Sequence, residues 1–183
     1  MAKAQNILIV TDYQKDFIDG ALAFEKAKTL EDKIYDKVNK YLKNGESVFF
    51  TFDTHYDNYL STKEGKLFPI KHCIAKTEGW NLYGKLKKYQ DEGIKNTYKI
   101  FKKTFGSNYL PYEICSNIPK VGRIELCGLV THLCVLSNAV ILQNHLSGAD
   151  ILINAGLCAS FNNDLHEKAL DIMQGLNMKV IGR

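Results

Sequence analysis

Short runs of apolar residues alternate along the chain with segments in which apolar positions recur every three or four residues. A continuous apolar run is typical of a strand buried on both faces of a parallel sheet, and the longer period is typical of a helix. We therefore expect an α/β fold of three layers, doubly wound, with a mainly parallel sheet and helices on both faces. The predicted strands are residues 6–11, 47–52, 97–101, 123–127, 150–154 and 178–181.

The helical period is clearest in four segments. These segments are residues 30–41, 82–90, 131–146 and 165–176. Thr131 is suited to cap the third of them, because a threonine hydroxyl accepts a backbone hydrogen bond at a helix start. Residues 55–80 show no period, which predicts a long loop of the kind that is usually functional.

Composition and charge narrow the class of protein. The 183 residues carry 24 Lys and Arg against 20 Asp and Glu, a net charge of +4, which is too small to indicate a nucleic-acid partner. The length fits one domain over residues 1–183, and no apolar run reaches the about 18 residues that a membrane span needs. The five cysteines form no C-x-x-C pair, which favours a reduced, cytoplasmic protein.

Chemically reactive side chains lie in or directly after several predicted strands. Asp12 follows the first strand, Asp53 and His55 follow the second, Lys99 lies in the third, and Cys134 begins the helix after the fourth. Each of them alone has an ordinary structural explanation. The carboxyl ends of parallel strands meet at one edge of a sheet, where ligands bind, so together they predict a site.

Cys134, Lys99 and Asp12 suit acyl transfer from an amide. The thiolate is the nucleophilic form of cysteine, and both a helix N-terminus and a nearby lysine favour it. A carboxylate within hydrogen-bond reach takes the thiol proton and passes it to a leaving amine. Backbone N–H groups between Gly128 and Cys134 are suited to stabilise a tetrahedral oxyanion.

A second group has the ligand chemistry of a divalent metal. Asp53-x-His55 places two side chains on one face of an extended segment, and His72 follows downstream. Imidazole and carboxylate ligands suit Zn²⁺, Mn²⁺ or Fe²⁺. The residues whose position and type fit the remaining ligand are Glu64, Asp57 and Cys73.

Four motifs, spread over about residues 6–181, resemble those of one enzyme family. They are D-x-Q-x-D-F-x-x-G-x-L from Asp12, D-x-H from Asp53, a lysine six residues before a phenylalanine at Lys99, and G-x-x-T-x-x-C-V from Gly128. The set is similar to that of the isochorismatase-like cysteine hydrolases, and within them of the nicotinamidase/pyrazinamidase branch. The resemblance implies hydrolysis of nicotinamide or pyrazinamide to the acid and ammonia through a thioester. The alternative is another hydrolase of this family that acts on a different small amide.

The resemblance also implies which residues perform the reaction. The triad would be Asp12, Lys99 and Cys134. A cis peptide would precede Val130, and the N–H groups of Val130 and Cys134 would form the oxyanion hole. Because members of the family often self-associate, a homo-oligomer is expected.

A metal site follows from the same resemblance. Zinc is the first expectation, with manganese or iron as alternatives. The implied ligands are Asp53, His55, His72 and, as the fourth, Glu64. The aromatic rings that would pack on the small-molecule substrate are Phe17 and Phe68.

Two lysines depart from the family pattern. An aromatic residue is often found three residues after the triad lysine, and this chain has Lys102 there. Lys71 directly precedes the downstream histidine. An ammonium group pointing into the pocket from either position would suit an acidic small amide.

Overall fold

Six parallel strands form a single sheet in the computed structural model, which describes residues 4–91, 93–102 and 104–183, and only the backbone of Lys102. The strands are β1 (Gln5–Thr11), β2 (Ser47–Asp53), β3 (Thr97–Lys102), β4 (Val121–Leu129), β5 (Asp150–Ala159) and β6 (Lys179–Ile181). Their order across the sheet is β3-β2-β1-β4-β5-β6, and every neighbouring pair is parallel. The predicted doubly wound α/β fold is confirmed.

Helices cover both faces of this sheet. Within the described ranges they are α1 (Lys15–Ile18), α2 (Glu25–Lys28), α3 (Glu31–Lys43), α4 (Lys63–Leu67), α5 (Lys88–Asp91), α6 (Tyr109–Asn117), α7 (Leu136–His145) and α8 (Asn163–Gly175). One apolar cluster contains Ile34 and Val38 of α3, and the other contains Leu142 of α7 and Leu170 of α8. None of the helices in these ranges is long and apolar enough to cross a membrane.

The alternation of side chains along β1 explains its continuous apolar run. Leu8 and Val10 belong to the cluster on the α3 side, whereas Ile7 and Ile9 belong to the cluster on the α7 and α8 side. All four side chains are fully buried. A strand covered on both faces has no polar face to show in its sequence, which is why period-two alternation is absent there.

The elements differ from the predicted ones mainly at their ends. β5 runs on to Ala159, and the predicted helix over residues 82–90 is reduced to a 3-10 turn, Gly84–Leu86, and the single turn of α5. The loop over residues 55–80 contains α4 and two 3-10 turns, Tyr59–Ser61 and Glu78–Trp80. Helix α6 was not predicted, although Leu110 and Ile114 bury it against the sheet.

The switch in strand order between β1 and β4 determines where a ligand can bind. In a doubly wound sheet the crevice lies outside the carboxyl ends of the strands at this point. Thr11 of β1 pairs in register with Gly128 of β4, so the segments after both strands leave the sheet side by side. Gly128 has a φ of +106°, and a Cβ there would collide with the backbone of Thr11, so only glycine allows this close approach.

Candidate active site and metal centre

Asp12 is the first residue after β1, and its side chain is fully buried. Its φ of 47° turns the chain out of the sheet, a conformation that aspartate tolerates better than most residues. The hydroxyl of Thr51 donates a 2.6 Å hydrogen bond to Oδ1 of Asp12, and the Asp12 N–H donates to the Thr51 carbonyl at 3.2 Å. Asp12 is therefore fixed to the end of β2 as well as to β1.

The cysteine predicted as the nucleophile lies in a turn directly after β4. The peptide bond between Leu129 and Val130 is cis, as predicted. A single π-helical turn, Thr131–Val135, carries the buried Cys134 and leads into α7. The N–H groups of Leu133 and Val135 both donate to the Val130 carbonyl, so the turn folds back on the residue that precedes it.

The expectation that Thr131 caps this helix is wrong. Val130 occupies the cap position, and no side-chain hydrogen bond caps the turn. The Thr131 hydroxyl is instead hydrogen-bonded to Nδ1 of His166 at 2.8 Å, which ties the cysteine turn to α8. Burial, followed by the charge of Lys26, lowers the pKa of His166, which favours the neutral form of its imidazole.

Three of the predicted metal ligands converge at the end of β2. Asp53, His55 and His72 are buried, and one ligand atom from each lies within 4.8 Å of the others. The Nε2 atom of His55 is 3.2 Å from either oxygen of the Asp53 carboxylate. The Nε2 atom of His72 is 3.2 Å from Asp53 Oδ2. Two imidazole nitrogens and a carboxylate form a donor set that fits zinc and leaves a position for further ligands.

The second nitrogen of His72 fixes the tautomer of its ring. Its Nδ1–H donates a 2.7 Å hydrogen bond to the carbonyl of Ile70, which directs Nε2 toward Asp53. Metal-bound histidines are commonly oriented by such a bond. Burial lowers the pKa of His72, but the hydrogen bonds to Asp53 and Ile70 and the charges of Asp53 and Glu64 outweigh it, so the pKa is raised overall. The same concentration of negative charge favours a metal cation.

Tyr59 forms an aromatic wall against this group and was not predicted from the sequence. The centroid of its ring lies 4.5 Å from that of His55 and 5.1 Å from that of His72. Its hydroxyl donates a 2.9 Å hydrogen bond to the carbonyl of Phe68. Burial, together with the charges of Glu64 and Asp53, raises the pKa of Tyr59 to about 12. The hydroxyl therefore remains a hydrogen-bond donor throughout the physiological range.

The geometry favours Glu64 among the three residues that fit the fourth ligand. Its Oε1 lies 3.8 Å from Nε2 of His55. Asp57 is exposed on the surface of the long loop. Cys73 packs in the apolar cluster on the α3 side, and its N–H donates to Oδ2 of Asp16 at 2.7 Å.

Both aromatic residues predicted to contact the substrate border the metal group. The ring centroid of Phe17 lies 5.9 Å from that of His72, and the ring centroid of Phe68 lies 6.0 Å from it, both edge to face. Phe17 is buried, whereas Phe68 is 41% exposed. A cavity of about 590 Å³, lined in part by Phe68, Tyr56 and Phe105, opens beside His55 and Glu64. A larger depression of about 740 Å³ lies at the amino ends of β4 and β5, far from these side chains.

The prediction that Lys99 belongs to the catalytic triad is not supported by its position. Lys99 lies opposite Phe50 in the register of β3 and β2, and its ammonium donates a 2.6 Å hydrogen bond to the carbonyl of Gln90. Its side chain is exposed. The physical reason is that β3 continues for three residues beyond Lys99, about 10 Å of extended chain. Lys71 is also exposed.

The backbone of Lys102, unlike that of Lys99, lies at the carboxyl end of β3. It is the last residue of β3 and pairs in register with Asp53, at the edge where the other site residues lie. Its side chain lies outside the described part of the chain, so the expectation of an ammonium pointing inward from Lys102 is untested. The sequence contains a signal for this residue, because Phe105 follows Lys102 by three positions and no aromatic residue follows Lys99 at that distance.

The fold and this site define a doubly wound α/β protein with a cysteine turn and a candidate metal-ligand group at one edge of its sheet. The chain matches the isochorismatase domain family over residues 6–183. It is 33% identical over 169 residues to PncA of Bacillus subtilis (strain 168), an isochorismatase family protein, which covers 89% of this chain and 91% of that protein. The chain belongs to the isochorismatase family.

Solved structures with similar folds include several nicotinamidases and pyrazinamidases. Nicotinamidase/pyrazinamidase PncA from Bacillus subtilis has a TM-score of 0.87 and 32% identity, covering 97% of this chain and 100% of that one. Pyrazinamidase/nicotinamidase from Streptococcus mutans UA159 has a TM-score of 0.86 and 30% identity, covering the same shares. Pyrazinamidase of Pyrococcus horikoshii, in complex with zinc, shares the fold at a TM-score of 0.83 and 23% identity, covering 98% of this chain and 99% of that one. The resemblance to the nicotinamidase branch is confirmed, and the family supports an amide hydrolase.

Proposed function

We propose that the protein is a nicotinamidase, which hydrolyses nicotinamide and pyrazinamide to the acid and ammonia through a cysteine thioester. The observation that carries this proposal is the buried group of Asp53, His55 and His72 at the edge where Asp12 and the Cys134 turn leave the sheet. A cysteine hydrolase needs no metal for the thioester chemistry itself. A metal site at the same sheet edge as the cysteine turn therefore favours a substrate with its own metal-binding atom, such as a ring nitrogen.

In the proposed reaction Asp12 takes the thiol proton of Cys134, and the thiolate attacks the carboxamide carbon. The N–H groups of Val130 and Cys134 stabilise the resulting oxyanion. Asp12 returns the proton to the amide nitrogen, and ammonia leaves as the thioester forms. Water, deprotonated by Asp12, then attacks the thioester carbon, releases the carboxylic acid and restores the thiol.

We assign the triad lysine to Lys102 in place of Lys99. The backbone of Lys102 ends β3 beside Asp53, whereas the ammonium of Lys99 is engaged with the carbonyl of Gln90. A cation at the sheet edge would favour the thiolate form of Cys134 and balance the charge that develops in the reaction.

The metal group would orient the substrate. Asp53, His55 and His72, with Glu64 beside them, fit zinc first and manganese or iron as alternatives. A metal held there supplies a Lewis acid for the ring nitrogen of the substrate. Phe17 and Phe68, which both border His72, would hold the ring of the substrate between them.

Ammonia release from nicotinamide by the purified protein tests the proposal, with Cys134→Ala and His55→Ala as the two variants. We expect equal amounts of nicotinate and ammonia from the unmodified protein. Cys134→Ala should abolish turnover and keep the metal, whereas His55→Ala should lose the metal and weaken substrate binding. Near-normal turnover by Cys134→Ala would contradict the covalent route. Hydrolysis of other small carboxamides, with none of nicotinamide, would favour the alternative family hydrolase.

A further inference from the structure

The side chain of Gln14 is fully buried between two segments of the site. Its Nε2 donates hydrogen bonds to the carbonyl of Asp53 at 2.9 Å and to the carbonyl of Trp80 at 2.8 Å. Its Oε1 accepts a 2.8 Å hydrogen bond from the N–H of Asp53. One side-chain amide thus holds both backbone polar groups of a predicted metal ligand.

The strand register explains why Asp53 needs this partner. The last residue of β1 to pair with β2 is Thr11, opposite Thr51, and β2 continues for two more residues to Asp53. On the other side Asp53 pairs with Lys102 of β3. In a parallel sheet the N–H and C=O of one residue point to the same neighbouring strand. The Gln14 amide supplies the donor and the acceptor that β1 no longer provides. Asp53 therefore keeps its strand geometry beyond the last residue of β2 that pairs with β1.

Gln14 also links the metal-ligand residue Asp53 to the turn that contains Asp12. The N–H of Gln14 donates to the carbonyl of Asp12 at 2.8 Å, so Gln14 belongs to the turn that carries the proposed proton acceptor. Trp80, which accepts from Gln14, donates from its indole Nε1 to the hydroxyl of Thr54 at 2.9 Å. The residue that follows Asp53 is therefore also tied, through its side chain, to the segment that contains Trp80.

We propose that Gln14 is a positioning residue, which holds the backbone of Asp53 so that its carboxylate meets His55 and His72 in metal-binding geometry. This inference rests on the metal site of the proposed function. A carboxylate ligand attached to a loosely held backbone samples many positions, and each of them lowers the fraction of the protein ready to bind. Groups that orient metal ligands typically contribute about 10–100-fold to metal affinity.

Gln90 offers a matched control in the same region. Its Oε1 accepts a 2.8 Å hydrogen bond from the N–H of Leu82, and its Nε2 donates to Oδ1 of Asn81 at 2.8 Å. It therefore fastens the segment that follows Trp80, through hydrogen bonds to Leu82 and Asn81. A purely structural role for Gln14 predicts that both glutamines behave alike.

The test measures Zn²⁺ affinity by competition with a chromophoric chelator, and the thermal midpoint, for the unmodified protein, Gln14→Ala and Gln90→Ala. We expect both variants to lower the thermal midpoint. Only Gln14→Ala should lower the Zn²⁺ affinity, by about 10–100-fold. Unchanged Zn²⁺ affinity in Gln14→Ala, or an equal loss in Gln90→Ala, overturns the inference.

A second pair of variants keeps the test decisive if Gln14→Ala does not fold. Gln14→Met and Gln90→Met keep the length of the side chain and remove its hydrogen bonds, and the same difference in Zn²⁺ affinity is expected. Because the Zn²⁺ affinity is measured without substrate, a failure of the proposed function can be distinguished from a failure of the inference about Gln14. A protein that binds zinc tightly but releases no ammonia from nicotinamide contradicts the activity, while the comparison of the glutamines still decides the role of Gln14.

Discussion

The hydroxyl of Thr51 and the carboxylate of Asp12 form a 2.6 Å hydrogen bond between the ends of two neighbouring strands. Both side chains are fully buried, so water does not compete for the bond. The bond fixes one oxygen of the Asp12 carboxylate, and because the carboxylate is planar and rigid, it also restricts the position of the other oxygen. In the proposed reaction the second oxygen takes the thiol proton of Cys134.

Thr51→Val should therefore slow the chemical step without affecting the metal. Removing one hydrogen bond to a charged group costs about 1.5 kcal/mol, which corresponds to about a tenfold lower kcat. Steady-state kinetics with nicotinamide and a zinc titration check the two parts of this expectation. Thr97→Val is the control, because that hydroxyl donates to the carbonyl of Ile94 at the amino end of β3. Equal kcat values for the two variants would contradict the role given to the Thr51 bond.

Alanine variants of the two lysines of β3 test which of them belongs to the proposed triad. Lys102→Ala should lower kcat by about 100-fold or more, the range expected when a charged group of the reaction centre is removed. Lys99→Ala should leave kcat within about twofold, because an exposed contact contributes little. The measurement is kcat for both variants at saturating nicotinamide. The reverse order would restore Lys99 to the triad.

The sequence was sufficient for the parts of the site that follow directly from strand ends. Asp12 and Asp53 each lie at the point where a buried apolar run stops, and the parallel pattern alone brings such points to one edge. The metal group could be predicted for the same reason, since Asp53 and His55 are two residues apart on an extended segment. His72 joined this group by residue type alone, because no local pattern relates it to β2, and the family resemblance supported the assignment.

The sequence was insufficient where a contact depends on the exact end of an element or on the path of a loop. The prediction of Lys99 as the triad lysine depended on where β3 ends, and apolar patterns define strand ends poorly when lysines flank the strand. Tyr59 contacts both histidines only because the 3-10 turn Tyr59–Ser61 folds the long loop back toward β2. The bonds of Gln14 require the relative lengths of β1 and β2, which no single segment of sequence contains.

Alanine variants of two acidic residues in the long loop, Glu64 and Asp57, test the assignment of Glu64 as the fourth metal ligand. Glu64→Ala should weaken Zn²⁺ binding by at least about tenfold, because Glu64 is the carboxylate beside His55. Asp57→Ala should bind Zn²⁺ like the unmodified protein, because Asp57 is exposed on the surface of the long loop. Chelator competition measures both. A larger loss in Asp57→Ala than in Glu64→Ala would reverse the assignment.

A buried carboxylate away from the site links the stability of the fold to pH. Glu125 of β4 accepts hydrogen bonds from the hydroxyl of Tyr41 and from Nδ2 of Asn154, each at 2.7 Å, and forms an ion pair with Nζ of Lys37 at 2.8 Å. Burial raises the pKa of Glu125, but the hydrogen bonds from Lys37, Asn154 and Tyr41 outweigh it, so the pKa lies below its ordinary value of 4.5. A carboxyl group whose pKa is lower in the folded than in the unfolded state stabilises the fold fully above the unfolded value. That stabilisation is lost as the pH falls through the folded value.

Glu125→Gln should therefore reduce the free energy of unfolding at pH 7 and make much less difference in acid. The amide keeps the shape of the side chain but leaves Lys37 without its ionic partner, at a cost of about 1–3 kcal/mol. Urea unfolding at pH 7, 5, 4 and 3 measures the difference from the unmodified protein, which should narrow only below pH 4.5. Glu25→Gln, at an exposed position in α2, is the control and should show no such difference. A difference for Glu125→Gln that stayed constant down to pH 3 would mean that packing, and not the ionised carboxylate, gives Glu125 its effect on stability.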